Sequence, residues 1–166
     1  MKNIIPNLRE CRDGIWGGGT PLPEGWDYLK SIGINRVIKL NTDRESNDSY
    51  ASKLGMTLYK FPITLLQQVI TRPSLSDMHA AVALIRPGTF VHCGSFKRTL
   101  SADAAEDNRQ GGQNRTNLIL GAYLLTLGVA KDDAYQWMCA GDFYSVWEQG
   151  LNGRWDSLDP VDWICQ

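Results

Sequence analysis

A short β-rich run, Thr89-Phe-Val-His92, carries Cys93 at its tip, and Gly112-Gln-Asn-Arg-Thr116 opens a strongly apolar helical pattern that continues to Leu127. A strand that ends in a thiol and a helix that begins with Gly-x-x-Arg-Thr constrain each other. Backbone N–H groups at a tight strand-to-helix turn converge on an anion, and the helix dipole adds partial positive charge there. Thiolates at such positions, or beside cations, are stabilised to pKa values of ~3.5–7.5. An arginine at the end of the turn grips two anion oxygens as a planar fork. About five residues are enough to curl round one tetrahedral oxyanion. Here Gly94 to Asn114, twenty-one residues, separate Cys93 from Arg115. The anion site therefore forms only if sixteen residues loop out and the ends reclose.

The rest of the chain alternates helix and strand. Pro23 to Ile32 reads as a helix with Pro23 in its first turn and Gly33 at its stop. Arg36 to Leu40 and Met56 to Phe61 read as strands, the second closed by Pro62. Asn41 to Asn47 is a polar loop and Asp48 to Leu54 a short helix. Ser74-x-x-Asp77 is a capping box ahead of Leu75, Met78, Val82 and Ile85 at helical spacing. Lys131 to Ala140 and Phe143 to Gln149 read as two further helices. This alternation predicts an α/β fold, a layered domain whose central sheet is flanked by helices. At 166 residues one domain spanning 1–166 is expected.

Composition narrows the function classes. A net charge of −1 gives no whole-chain electrostatic basis for binding nucleic acid or membrane, and no apolar run is long enough to span a bilayer. The first residues lack the apolar run of a signal peptide. Cys11, Cys93, Cys139 and Cys165 form no Cys-x-x-Cys pair, which fits a reducing cytoplasm and offers no zinc site. Cytoplasmic location, no metal and no cofactor are expected. Oligomeric state is not legible.

Joined, the two flanks resemble the signature His-Cys-x-x-Gly-x-x-Arg-Thr of the tyrosine and dual-specificity cysteine phosphatases, particularly their small bacterial members. The resemblance covers roughly residues 12 to 150 as a pattern. Gly17-Gly-Gly-Thr-Pro through Ile38 is similar to the family's leading segment, first helix and first core strand. The resemblance implies hydrolysis of phosphomonoesters, on a phosphorylated protein or a small molecule, through a phosphocysteine intermediate. It implies that Cys93 attacks phosphorus and that Arg115 binds the phosphate and stabilises the transition state. Thr116 would hydrogen-bond the sulfur, His92 would tune the thiolate through backbone contacts, and Gly112, Gln113 and Asn114 would offer backbone donors.

Two departures stand out. Residues 95–110 form an insertion inside the signature, read either as a built-in lid or as an excursion that disrupts the anion site. The family's general acid usually sits before the helix that precedes the catalytic strand, and Pro62 to Pro73 contains no carboxylate. Asp77 is the nearest candidate, although capping explains it equally. Asp43, Glu45, Asp48, Asp103, Glu106 and Asp107 are others. Two rival functions remain open. One is an inactive phosphatase-like binding module. The other is a rhodanese-like sulfurtransferase, because Cys93 and Arg98 are separated by four residues.

Overall fold

A computed structural model of the chain describes residues 4–42, 49–94, 111–141, 143 and 149–164. Five strands form one mixed sheet in the order β1-β2-β5-β3-β4. They are β1 (Arg9–Arg12), β2 (Ile15–Gly19), β3 (Arg36–Lys39), β4 (Thr57–Lys60) and β5 (Thr89–Cys93). Only β1 runs antiparallel to its neighbour. The β1–β2 hairpin turns at Asp13-Gly14, both with positive φ (48° and 75°), the backbone that a two-residue hairpin turn requires.

The helices are α1 (Pro23–Ser31), α2 (Ser49–Lys53), α3 (Leu75–Val82), α4 (Asn114–Thr126), α5 (Lys131–Ala140), α6 (Gln149–Asp156) and α7 (Val161–Ile164), with a π-helical turn at Gln67–Thr71. The expected capping of α3 is present, with the Asp77 N–H donating to Ser74 Oγ at 3.4 Å. Of the helix expected from Phe143 to Gln149, residues 144–148 lie outside the described residues. The described helix α6 starts where that one was to end.

Alternation along the strands sorts side chains onto two faces. On one face Ile38, Leu40, Val91 and Cys93 pack with Met78 and Val82 of α3 and Leu118 and Leu120 of α4. On the other, Val37 and Phe90 pack with Trp26 and Leu29 of α1 and Ala51 of α2. Helix α4 is buried almost all round, from Arg115 through Leu125, because the sheet, α3, α5 and α7 all press on it. This is the expected layered α/β arrangement.

Cys11 on β1 packs at the margin of the larger core. Burial pushes its thiol from 9.0 up to about 12, against the lowering influence of Arg9 and Arg12. The folded chain thus keeps this proton to higher pH than the unfolded chain. The resulting stability is complete below pH 9.0 and is lost as pH rises toward about 12. Thermal unfolding followed from pH 8 to pH 11, about the working range set by these values, should show a smaller alkaline loss for Cys11→Ala than for the parent. Parallel profiles would refute this linkage.

Candidate active site

The site lies at the carboxyl ends of the parallel strands, where α/β sheets expose their turns. Register places Gly19 beside Cys93, Gly18 beside His92 and Lys39 beside His92. Cys93 is 3% exposed and faces the layer that contains α4. Its Sγ accepts a hydrogen bond from the Gly112 N–H at 3.3 Å. The two flanks of the insertion therefore meet. Closing twenty-one residues rather than five costs only about 1.3 kcal/mol more in chain entropy, which a few good contacts offset.

Those contacts can be named. Asn7 Nδ2 donates to the Gly111 carbonyl at 2.8 Å. A Cβ on Gly111 would lie 2.9 Å from the Cys93 carbonyl oxygen and from Gly19 Cα, so this backbone runs directly over the ends of β2 and β5. Gly112 has φ +89°, and a Cβ there would come within 2.2 Å of the Gly18 carbonyl carbon. Only glycine fits. Close approach also explains Gly17 on β2, since a Cβ there would meet Leu120 and Thr116 of α4 at 2.6 and 2.8 Å. Helix α4 starts at Asn114 with Gln113 at its N-cap and no side-chain cap. Its first N–H groups and positive dipole end thus lie beside the Gly112 donor and the sulfur.

Arg115, 2% exposed, extends from the first turn of α4. Its Nη1 donates to the carbonyls of Ile63 (3.0 Å) and Leu40 (3.4 Å), and its Nη2 donates to the Gly94 carbonyl. The fork is thereby fixed across the ends of β3, β5 and the segment after β4. Thr116 Oγ1 donates to the Gly18 carbonyl at 3.2 Å, so in this structure its hydroxyl anchors α4 to β2. His92 is fully buried on the opposite face from Cys93, edge-on to Trp26 and 3.4 Å from Thr20 Oγ1 through Nδ1. Any influence it has on the sulfur passes through the backbone.

Asp77 is exposed and lines a surface cleft with Gln67, Pro73, Leu40 and Ile63. The last two are the residues whose carbonyls hold Arg115, but neither Arg115 nor Cys93 lines this cleft. Asp43, Glu45, Asp48, Asp103, Glu106 and Asp107 lie outside the described residues, as does Arg98. Among the described residues no three His, Cys, Asp or Glu side chains cluster as a metal site, and no helix is long and apolar enough to cross a membrane. Sequence reading missed Asn7, which no local pattern distinguishes, and the buried Lys39 beside His92.

Arg115→Lys should lower kcat by roughly 10²–10³-fold, the usual cost of losing one transition-state donor, because an ammonium cannot reproduce a fork held on three carbonyls. Arg98→Lys should change it little. The reverse ranking, accompanied by sulfur transfer from thiosulfate to cyanide, would favour the sulfurtransferase reading.

The sheet order and the helix that follows β5 belong to a fold shared with solved phosphatase structures. No family model and no curated protein matches the chain. Among solved structures, it is similar to TpbA from P. aeruginosa, with TM-score 0.71 and 14% identity over 96% of this chain and 89% of that one. It is similar to the catalytic core of Siw14, with TM-score 0.72 and 11% identity over 99% and 92%. Tk-PTP in its active form gives TM-score 0.68 and 15% identity over 96% of each chain. At these identities what is shared is the fold.

Proposed function

We propose that this chain hydrolyses phosphomonoesters through a phosphocysteine intermediate. The observation that carries the reading is the Gly112 N–H on Cys93 Sγ at 3.3 Å, at the uncapped N-terminus of the helix that bears Arg115. A phosphoryl group above the sulfur would meet backbone donors and the guanidinium. The Cys93 thiolate attacks phosphorus, and the ester oxygen leaves with its electron pair and takes a proton from a general acid. Asp77 is our candidate for that acid, from its place in the cleft beside Leu40 and Ile63. Water then attacks phosphorus as the carboxylate left by the first step takes its proton, and the S–P bond breaks with its electron pair returning to sulfur as thiolate, which the Gly112 N–H stabilises. Similar structures include TpbA bound to phosphotyrosine and Siw14, a PP-IP phosphatase of S. cerevisiae. Phosphotyrosine and small phosphate esters are therefore the substrates to test. The whole chain would act as one domain, with residues 95–110 inserted in its active-site loop.

The test pairs the parent with a chain lacking residues 95–110, which leaves Cys93-Gly-Gly-Gly-Gln-Asn-Arg115. The parent should hydrolyse an aryl phosphate in the presence of a chelator, and vanadate should inhibit it. The shortened chain should be faster, and its thiol should alkylate faster at mildly acidic pH. A lower kcat or weaker substrate preference would make the insertion a working lid. Phosphate binding with no hydrolysis in either chain would leave a binding module.

A further inference from the structure

One peptide group joins the end of the active-site loop to two distant parts of the chain. The Gly111 carbonyl and the Gly112 N–H belong to the same trans peptide, so they point in opposite directions. Asn7 Nδ2 donates to the carbonyl at 2.8 Å, and the N–H donates to Cys93 Sγ at 3.3 Å. Holding one end of this plane aims the other.

The plane has little local reason to stay as it is. Turning it changes only ψ of Gly111 and φ of Gly112, and glycine adopts either sign of φ about equally well. A half-turn would carry Gly112 from φ +89° into the negative-φ region open to every residue. It would also bring the Gly111 carbonyl oxygen, in place of the N–H, toward the sulfur. A hydrogen bond to a thiolate favours ionisation, and a carbonyl oxygen facing it opposes ionisation. The orientation of this one peptide thus sets the sign of a dipole in contact with Cys93.

Asn7 is anchored well enough to hold it. Ile5 is 2% exposed and packs with Trp26, Leu29 and Phe90. The Ile4 carbonyl accepts from the Leu22 N–H at 2.9 Å, and the Pro6 carbonyl accepts from the Gly19 N–H at 2.7 Å. Gly19 is the β2 residue beside Cys93, so the backbone that carries Asn7 is tied to the same strand ends as the sulfur. Asn7 itself has φ 50°, a left-handed backbone that asparagine tolerates better than most residues with a side chain. Its amide nitrogen donates and cannot accept, so of the two ends of the peptide it selects the carbonyl.

We propose that Asn7 is a positioning residue of the active site: by holding the Gly111 carbonyl it keeps the Gly112 N–H on Cys93 and favours the thiolate. The consequence for hydrolysis rests on the phosphocysteine reading. The effect on the thiol does not.

The test is the rate at which iodoacetamide alkylates Cys93 in the full chain, followed on its own peptide by mass spectrometry from about pH 5 to about pH 10. Asn7→Gly removes the amide and leaves the backbone free to adopt φ 50°. At about pH 6 it should alkylate roughly tenfold more slowly than the parent, the scale of one lost hydrogen bond to a charged group. At about pH 10, where the thiol is ionised in both, the rates should agree. Asn7→Asp is isosteric and suits the same backbone, but it replaces the donor with an acceptor. It should slow the reaction at acidic pH at least as much, and should still do so in high salt, which screens its added charge. By NMR, the Gly112 amide proton of the parent should shift as the thiol ionises, and that response should be lost in both variants. Equal slowing at both ends of the pH range would reduce Asn7 to a structural contact and overturn the proposal. So would variant profiles that match the parent's, or a parent Gly112 amide indifferent to pH. The expected alkylation profiles in a parent that hydrolyses no phosphate ester would support the positioning role and count against the phosphatase reading alone.

Discussion

Cys93→Ser should abolish aryl-phosphate hydrolysis, with a fall of about 10³-fold or more. The exchange replaces sulfur with a smaller oxygen and adds no bulk at a site 3% exposed, so the fold should survive. A hydroxyl there is a far weaker nucleophile at neutral pH, and no described residue stands as a base for it. The Gly112 N–H, the start of α4 and the Arg115 fork are unaltered. Inorganic phosphate should therefore bind the variant about as well as the parent, while kcat collapses. Hydrolysis that persists in the serine variant would sink the phosphocysteine mechanism. Loss of phosphate binding together with activity would show that the sulfur, rather than the backbone and Arg115, organises the anion site.

Gly112→Ala should damage both stability and activity. An L residue at φ +89° is strained by about 1 kcal/mol or more. Its Cβ would also meet backbone atoms of Gly18 and Gly19 at 2.2 and 2.3 Å, which cannot swing aside as a side chain can. Overpacking of this kind adds ~1–3 kcal/mol. A total of about 3 kcal/mol, in a domain of this size, lowers the melting temperature by roughly 6–12 °C. Gly128→Ala is the internal control, because its φ is +77° and nothing lies within 4 Å of the added Cβ. It should show the strain alone, near 1 kcal/mol. Equal losses for the two substitutions would mean that contact with β2 does not hold the end of the active-site loop.

Local chemistry made much of this molecule legible. Pro23 and Gly33 bracket α1, Ser74 caps α3, and the β-rich runs at 36–40 and 89–92 are strands because their side chains suit a sheet buried on both faces. The positions of Cys93 at a strand tip and Arg115 at a helix start follow from the same short-range patterns. Strand β2 was hidden because Gly17-Gly-Gly19 lacks the β-branched residues by which strands are recognised. Gly17 answers to α4, a helix almost a hundred residues further along, while Gly18 answers to Ile5, Pro6 and Phe90 and Gly19 to Gly111. Helix α6 was hidden for a related reason. Gly150 and Gly153 argue against a helix locally, and Gly150 is set by the carbonyls of the π-helical turn it packs against.

The sequence by itself determined the kinds of groups at the site and the elements that bear them. Whether the thiol meets a backbone donor across an interruption of sixteen residues was decided only in three dimensions. The parallel register puts Gly19 beside Cys93, Gly111 packs across both, and Asn7 holds the Gly111 carbonyl. Each of these contacts joins residues far apart in the chain. No local propensity encodes such pairings, and the entropy of closing the intervening chain grows slowly enough for packing at the strand ends to settle the outcome.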